Sequence, residues 1–184
     1  MKKFCLAVFM FLMICGVCSA MQKANHEKWL TMVGYGASWR TDSDLSGTGG
    51  ALSVVYLPHH FWGFGLDAGT NYTKGKDLSG LYGFQTNQHI GPSIYLFPLN
   101  TRYHRVYISI GGNVFHYCDI DVDEYRRIYD DPIHRWDWYN VGLNAGVGYS
   151  VKFLRHFELG IRGYASFIQE GFYLKPLVNL SVSF

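Results

Sequence analysis

The stretch Tyr139-Asn140-Val141-Gly142-Leu143-Asn144-Ala145-Gly146-Val147-Gly148-Tyr149-Ser150-Val151-Lys152-Phe153 decides the fold. Its odd positions are all apolar or aromatic, with Tyr139, Tyr149 and Phe153 toward the ends. Its even positions are Asn, Gly, Ser and one Lys. A period of two over this length is the signature of a β-strand with two unlike faces. The same split recurs on both sides of it. Trp62, Phe64, Leu66, Ala68, Thr70 and Tyr72 oppose Gly63, Gly65, Asp67, Gly69, Asn71 and Thr73. Phe157, Leu159, Ile161 and Phe167 oppose Glu158, Gly160, Arg162 and Ser166. Phe172, Leu174, Val178, Leu180, Val182 and Phe184 oppose Tyr173, Lys175, Asn179, Ser181 and Ser183. Trp29 to Arg40 alternates in the same way, and weaker strands run over 49–57, 84–97 and 105–115. That makes eight strands.

Which face meets solvent separates two all-β folds. A water-soluble eight-stranded barrel encloses its apolar residues, whereas a membrane barrel turns them outward and keeps a polar lumen. The polar face here is built of Gly, Ser, Asn and Thr, too poor in charge for a water-facing surface. The charges Arg40, Asp67, Arg105, Lys152, Glu158, Arg162 and Lys175 all fall on that face. The one exception, Lys74, lies at a strand end; an Arg or Lys turned to mid-bilayer would cost about 2–4 kcal/mol, so the near absence of charge from the other face has a cause. Trp29, Trp39, Trp62, Tyr72, Tyr139 and Phe184 stand toward strand ends on the apolar face, where rings settle at a membrane interface. The expected fold is therefore all-β, one eight-stranded antiparallel up-and-down transmembrane β-barrel over residues 29–184.

Composition fits. Charged residues make up 16% of the 184, below the roughly 25% of soluble domains, and aromatics reach 17%. The formal charge of +2 offers no basic stripe and so no nucleic-acid partner. Lys2 and Lys3, then the uncharged Phe4 to Val17, then Cys18-Ser19-Ala20 follow the order of a secretory signal peptide over 1–20. The apolar run is shorter than the ~20 residues of a spanning helix. Residues 21–28 would be a short periplasmic segment. Cleavage after Ala20 leaves Cys118 as the single cysteine, which excludes a disulfide within the chain and is read as a tolerated loop thiol.

With the N-terminus periplasmic, the second, fourth and sixth links are short, and the others carry 11 of the 14 acidic residues. The expected orientation is short periplasmic turns, periplasmic termini and extracellular loops. These features together resemble the eight-stranded outer-membrane β-barrel family of the OmpX and OmpA-transmembrane-domain kind. The resemblance covers essentially all of 29–184 and includes the ending Val178-Asn179-Leu180-Ser181-Val182-Ser183-Phe184. It implies that Phe184 is part of the signal read by the barrel-assembly machinery, although Val182 stands where an aromatic is usual. It also implies outer-membrane lipid and lipopolysaccharide as surroundings.

Two candidate sites follow from the strands. Inward Asp67 and Arg162 face each other across the lumen, with Glu158, Lys152 and Arg105 lower down and Lys175 on the same face. Buried charges need partners, so an ion-pair network plugging the barrel is expected, a gated ion path being the alternative. The longest link, 117–137, carries Asp119, Asp121, Asp123 and Glu124, spaced like part of a calcium loop but with Asp130 where its closing Glu would stand. A solvated acidic loop open to an extracellular ligand is the reading there, and no metal or other cofactor is expected. Catalysis by small barrels on lipid A would need a nucleophile with a base and an acid on one surface. Outward His116 and inward Ser166 share none, so a non-enzymatic role in surface interaction or envelope integrity is expected. A lipid A acyl-modifying enzyme and a narrow channel are the alternatives.

Overall fold

The structure, a computed structural model, describes residues 27–41, 44–76, 82–122, 133–168 and 171–184. Eight strands form one closed antiparallel barrel in which each pairs with its sequence neighbours. They are β1 Trp29–Arg40, β2 Ser46–His59, β3 Trp62–Lys76, β4 Tyr82–Asn100, β5 His104–Val122, β6 Ile133–Lys152, β7 Phe157–Ile168 and β8 Gly171–Ser183. β1 and β8 close the ring from Leu30 opposite Ser183 to Arg40 opposite Tyr173. The links at 60–61, 101–103 and 153–156 are short and share one end with both strand termini of the seam; this is the turn end, and the opposite one is the loop end.

The apolar face is outside. Val33, Ile90, Ile94, Ile108, Ile110, Val141, Ile161 and Val178 are exposed. Asp67, Arg105, Glu158, Arg162 and Lys175 are buried. This inversion of the usual rule has a physical reading only if the surrounding medium is hydrocarbon. A closed barrel also leaves no strand edge unpaired, which is what a bilayer demands of β-structure. Inward glycines make room for large rings: a Cβ at Gly148 would come within 2.2 Å of the Tyr107 ring, and one at Gly65 within 2.8 Å of Tyr95.

The strands that alternate weakly in sequence, β2 and β4, do so because part of the lumen is itself apolar. Leu30, Met32, Val55, Leu57, Tyr95, Phe97 and Tyr107 form an inward cluster at the turn end. Apolar residues therefore face both ways there. In both strands the register slips next to a proline, between Tyr56 and His59 around Pro58 and between Leu96 and Leu99 around Pro98. Proline lacks the donor that the ladder needs.

β4, β5 and β6 are longer than expected. Residues 117–122 pair with 133–138, extending the sheet beyond Phe115 where a loop was expected. Asp119 and Asp121 thus lie on a strand rather than in a loop. Asp123 and Glu124 fall outside the described residues, as do the signal peptide and residues 21–26.

Candidate functional site

The lumen holds three tiers of polar side chains. At the turn end Arg105, fully buried, is the hub. Its guanidinium lies 2.6 Å from Glu158 Oε1 and 2.5 Å from Glu27 Oε2, and its Nε donates to Asn100 Oδ1 at 3.1 Å. Lys152 Nζ donates to both Glu27 oxygens at 3.0 Å and stands 3.9 Å from Glu158. Ser150 donates to the other Glu158 oxygen at 2.6 Å. Two cations thus meet two carboxylates, and the tier is neutral. Burial pushes the Glu27 carboxyl up, but Arg105 and Lys152 beside it more than offset this and hold it below the usual carboxylate range.

The middle tier spans the barrel. Arg162, from β7, donates to Ser53 on β2 at 2.8 Å, to the Tyr95 hydroxyl on β4 at 3.1 Å and to Ser109 on β5 at 3.4 Å. Asp67 Oδ2 is 3.7 Å from Arg162, and the closer link runs through Tyr95. The Tyr95 hydroxyl donates to Asp67 at 2.5 Å while accepting from Arg162, and Ser93 donates to Asp67 at 2.6 Å. The guanidinium also lies 4.5 Å over the Tyr164 ring, a cation–π contact made stronger by exclusion of water.

The loop-end tier combines amides and aromatic rings with the half-buried charges Arg40 and Asp119. Gln85 donates to Asp119 at 2.9 Å and accepts from Arg40 at 3.3 Å and from the Tyr173 hydroxyl. Phe115, Tyr117 and Tyr173 pack together beside it. Between this tier and the middle one, Asn87, His89, Asn113 and the Lys175 amine are buried, with no hydrogen bond to their side-chain nitrogens and oxygens among the described residues.

The structure brings together Asp67 with Arg162 and Arg105 with Glu158 and Lys152. It does not bring Lys175 into an ion pair among the described residues. Its Nζ rests 4.6 Å over the face of Tyr164, because the only carboxylate of the middle tier already belongs to Arg162 and Tyr95. Sequence reading missed Glu27, assigned to a free segment before β1. It also missed Ser53, Ser93, Tyr95 and Gln85, which lie on the strands with the weakest alternation. Phe184 closes the seam through backbone bonds with Lys28 and Trp29.

A closed eight-strand up-and-down barrel, apolar outside and ionised within, has the fold of the small outer-membrane barrels. Among solved structures the chain resembles the outer membrane protein OprG from Pseudomonas aeruginosa, at 14% identity over 87% of this chain and 98% of that one, TM-score 0.61. It resembles Neisserial surface protein A at 12% identity over 85% and 96%, TM-score 0.58. The attachment invasion locus protein Ail of Yersinia pestis follows at 13% over 87% and 100%, TM-score 0.55. At such identities the likeness is one of fold. No family model matches the sequence and no curated protein matches it.

Proposed function

We propose that this protein is an outer-membrane barrel whose lumen is a structural plug and which acts through its outer surface, in surface interaction or envelope integrity. Its loops face the exterior and its termini the periplasm, with outer-membrane lipid and lipopolysaccharide around it and the barrel-assembly machinery reading its last strand. The carrying observation is Arg162: buried, and hydrogen-bonded from β7 to β2, β4 and β5, it ties opposite walls across the bore. The plug has no part in chemistry in this reading.

An extracellular ligand would meet the acidic loop end. Ail has been crystallised with the heparin analogue sucrose octasulfate. A polyanion is a poor electrostatic match for a loop end whose links and strand ends together carry 11 of the 14 acidic residues here, so a basic or neutral partner fits better. The test of the plug is conductance of the purified chain in planar bilayers. No steady open-pore current is expected for the wild type, and currents should appear on Arg162→Ala. A steady open pore in the wild type would overturn the plug.

A further inference from the structure

The outer wall carries a group of side chains that the lumen does not explain. On β5, His116 and Cys118 are two residues apart and point outward together, while Phe115 and Tyr117 beside them are buried inside. On β6, Tyr139 stands opposite His116 and Asp137 opposite Cys118. The His116 ring stacks on Tyr139 at 4.7 Å, and its Nε2 reaches diagonally to Asp137 Oδ1 at 3.6 Å. Cross-strand partners have Cβ atoms about 4.5–5.5 Å apart. The imidazole thus leans from its own row onto the carboxylate opposite Cys118, on the same outward face as the thiol. On the other flank, β4 sets Thr86 opposite Cys118 and Gln88 opposite His116.

Below this group the wall is hollowed. Gly50, Ala68, Gln88, Ile90, His116 and Tyr139 are among the residues that line an outward groove of about 790 Å³. Tyr72 and Tyr139 mark the aromatic girdle at this level, where acyl chains give way to headgroups. That is the depth at which the ester carbonyls of membrane lipids lie.

We propose that Cys118, His116 and Asp137 form a thiol acyl-transfer site for ester-linked membrane lipids, with the groove seating the acyl chain. His116 takes the Cys118 proton and the sulfur attacks the ester carbonyl carbon. The oxyanion formed meets the Gln88 amide and the Thr86 hydroxyl. Collapse breaks the bond to the alcohol oxygen, which takes the proton back from His116, and leaves an acyl thioester on Cys118. Water, deprotonated by His116, then attacks the thioester to release the fatty acid and restore the thiol. Asp137 orients the imidazole and stabilises its charged form. A thiol fills the place that Ser166, on the inward face, cannot. The site is independent of the plug: a leaking lumen would leave this proposal intact, and an inert Cys118 would leave the plug intact.

The full chain refolded in detergent micelles is given p-nitrophenyl dodecanoate. Expected are turnover and a dodecanoyl adduct on Cys118, found by peptide mass and released by hydroxylamine. Cys118→Ala should abolish both, and His116→Asn should slow turnover by about 100-fold or more. Heat-dependent gel migration verifies that each variant is a barrel. Wild type that neither turns over nor acylates overturns the proposal, as does Cys118→Ala with wild-type turnover. A measurement that needs no variant is the iodoacetamide rate of Cys118 at neutral pH. A rate above that of a free cysteine is expected, and an equal or lower one also overturns the assignment.

Discussion

The two halves of the lumen solve the same problem differently. Toward the turn end, every buried charge has an opposite charge: Arg105 and Lys152 meet Glu27 and Glu158, and Arg162 meets Asp67 through Tyr95. Toward the loop end the lumen is lined by amides and rings, with Arg40 and Asp119 both bonded to Gln85, and the side-chain nitrogens and oxygens of Asn87, His89, Asn113 and Lys175 have no hydrogen bond among the described residues. A narrow eight-stranded bore can be closed by matched ions or by bulk. Only the matched ions tie one wall to another with direction, so stability should be concentrated in the turn-end half.

The sharpest way to break that contrast is Arg162→Met. It removes four partners at once and leaves Asp67 buried with only two hydroxyl donors. Breaking a buried pair by removing one partner costs roughly 3–5 kcal/mol. Urea unfolding from lipid vesicles, followed by tryptophan fluorescence, should show a loss of that order. A loss under about 1 kcal/mol would mean that the middle tier is packing rather than tie. Glu158→Gln comes next. Arg105 keeps Glu27, and the Ser150 bond can persist to the amide, so a loss of about 1.5–3 kcal/mol is expected in the same assay.

The barrel was legible in the sequence because membrane strands repeat one simple rule, hydrocarbon on one side and a crowded bore on the other. Tyr139 to Phe153 shows it without exception. The middle pair Asp67 and Arg162 was legible too, since both are charges of inward parity within alternating strands. The rest was hidden for physical reasons. Tyr95 and Phe97 lie on β4 where inward and outward residues are alike apolar, so parity carried no signal there. Glu27 precedes the strands, and nothing local says that it folds back under the bore to meet Arg105 and Lys152. Lys175 shares its parity with real ion-pair members, and only the three-dimensional placement of Tyr164 shows that it rests on a ring. The strand over 117–122 is hidden because its acidic residues suggest solvent, yet it is paired and Asp119 turns inward to Gln85.

Lys175→Met tests the loop-end half. Among the described residues this buried amine rests on a ring and has neither a hydrogen bond nor an ion pair to replace the water it has lost. An unbranched apolar side chain of similar length keeps the contact with Tyr164 and removes that burden. Stability should be unchanged or rise by about 1 kcal/mol, opposite in sign to Arg162→Met. A loss as large as that of Arg162→Met would erase the distinction between the two halves.

The smallest effect, and the finest probe of the turn end, is pH. Glu27 has a lowered pKa in the folded chain, held down by Arg105 and Lys152 against its burial. A carboxylate whose folded pKa lies below its unfolded one contributes stability that is fully present above the unfolded value. That contribution is lost as pH falls through the folded one. Wild-type stability should therefore decline as pH drops below about 4.5, the ordinary value for this group, and part of that decline should be missing in Glu27→Gln. Above that range the variant should be the less stable of the two, since its neutral amide leaves Lys152 without its closest anion. Unfolding midpoints measured between pH 7 and pH 3 would show two curves converging on the acid side. Parallel curves would mean that Glu27 hangs loose below the barrel and that Arg105 is balanced by Glu158 alone.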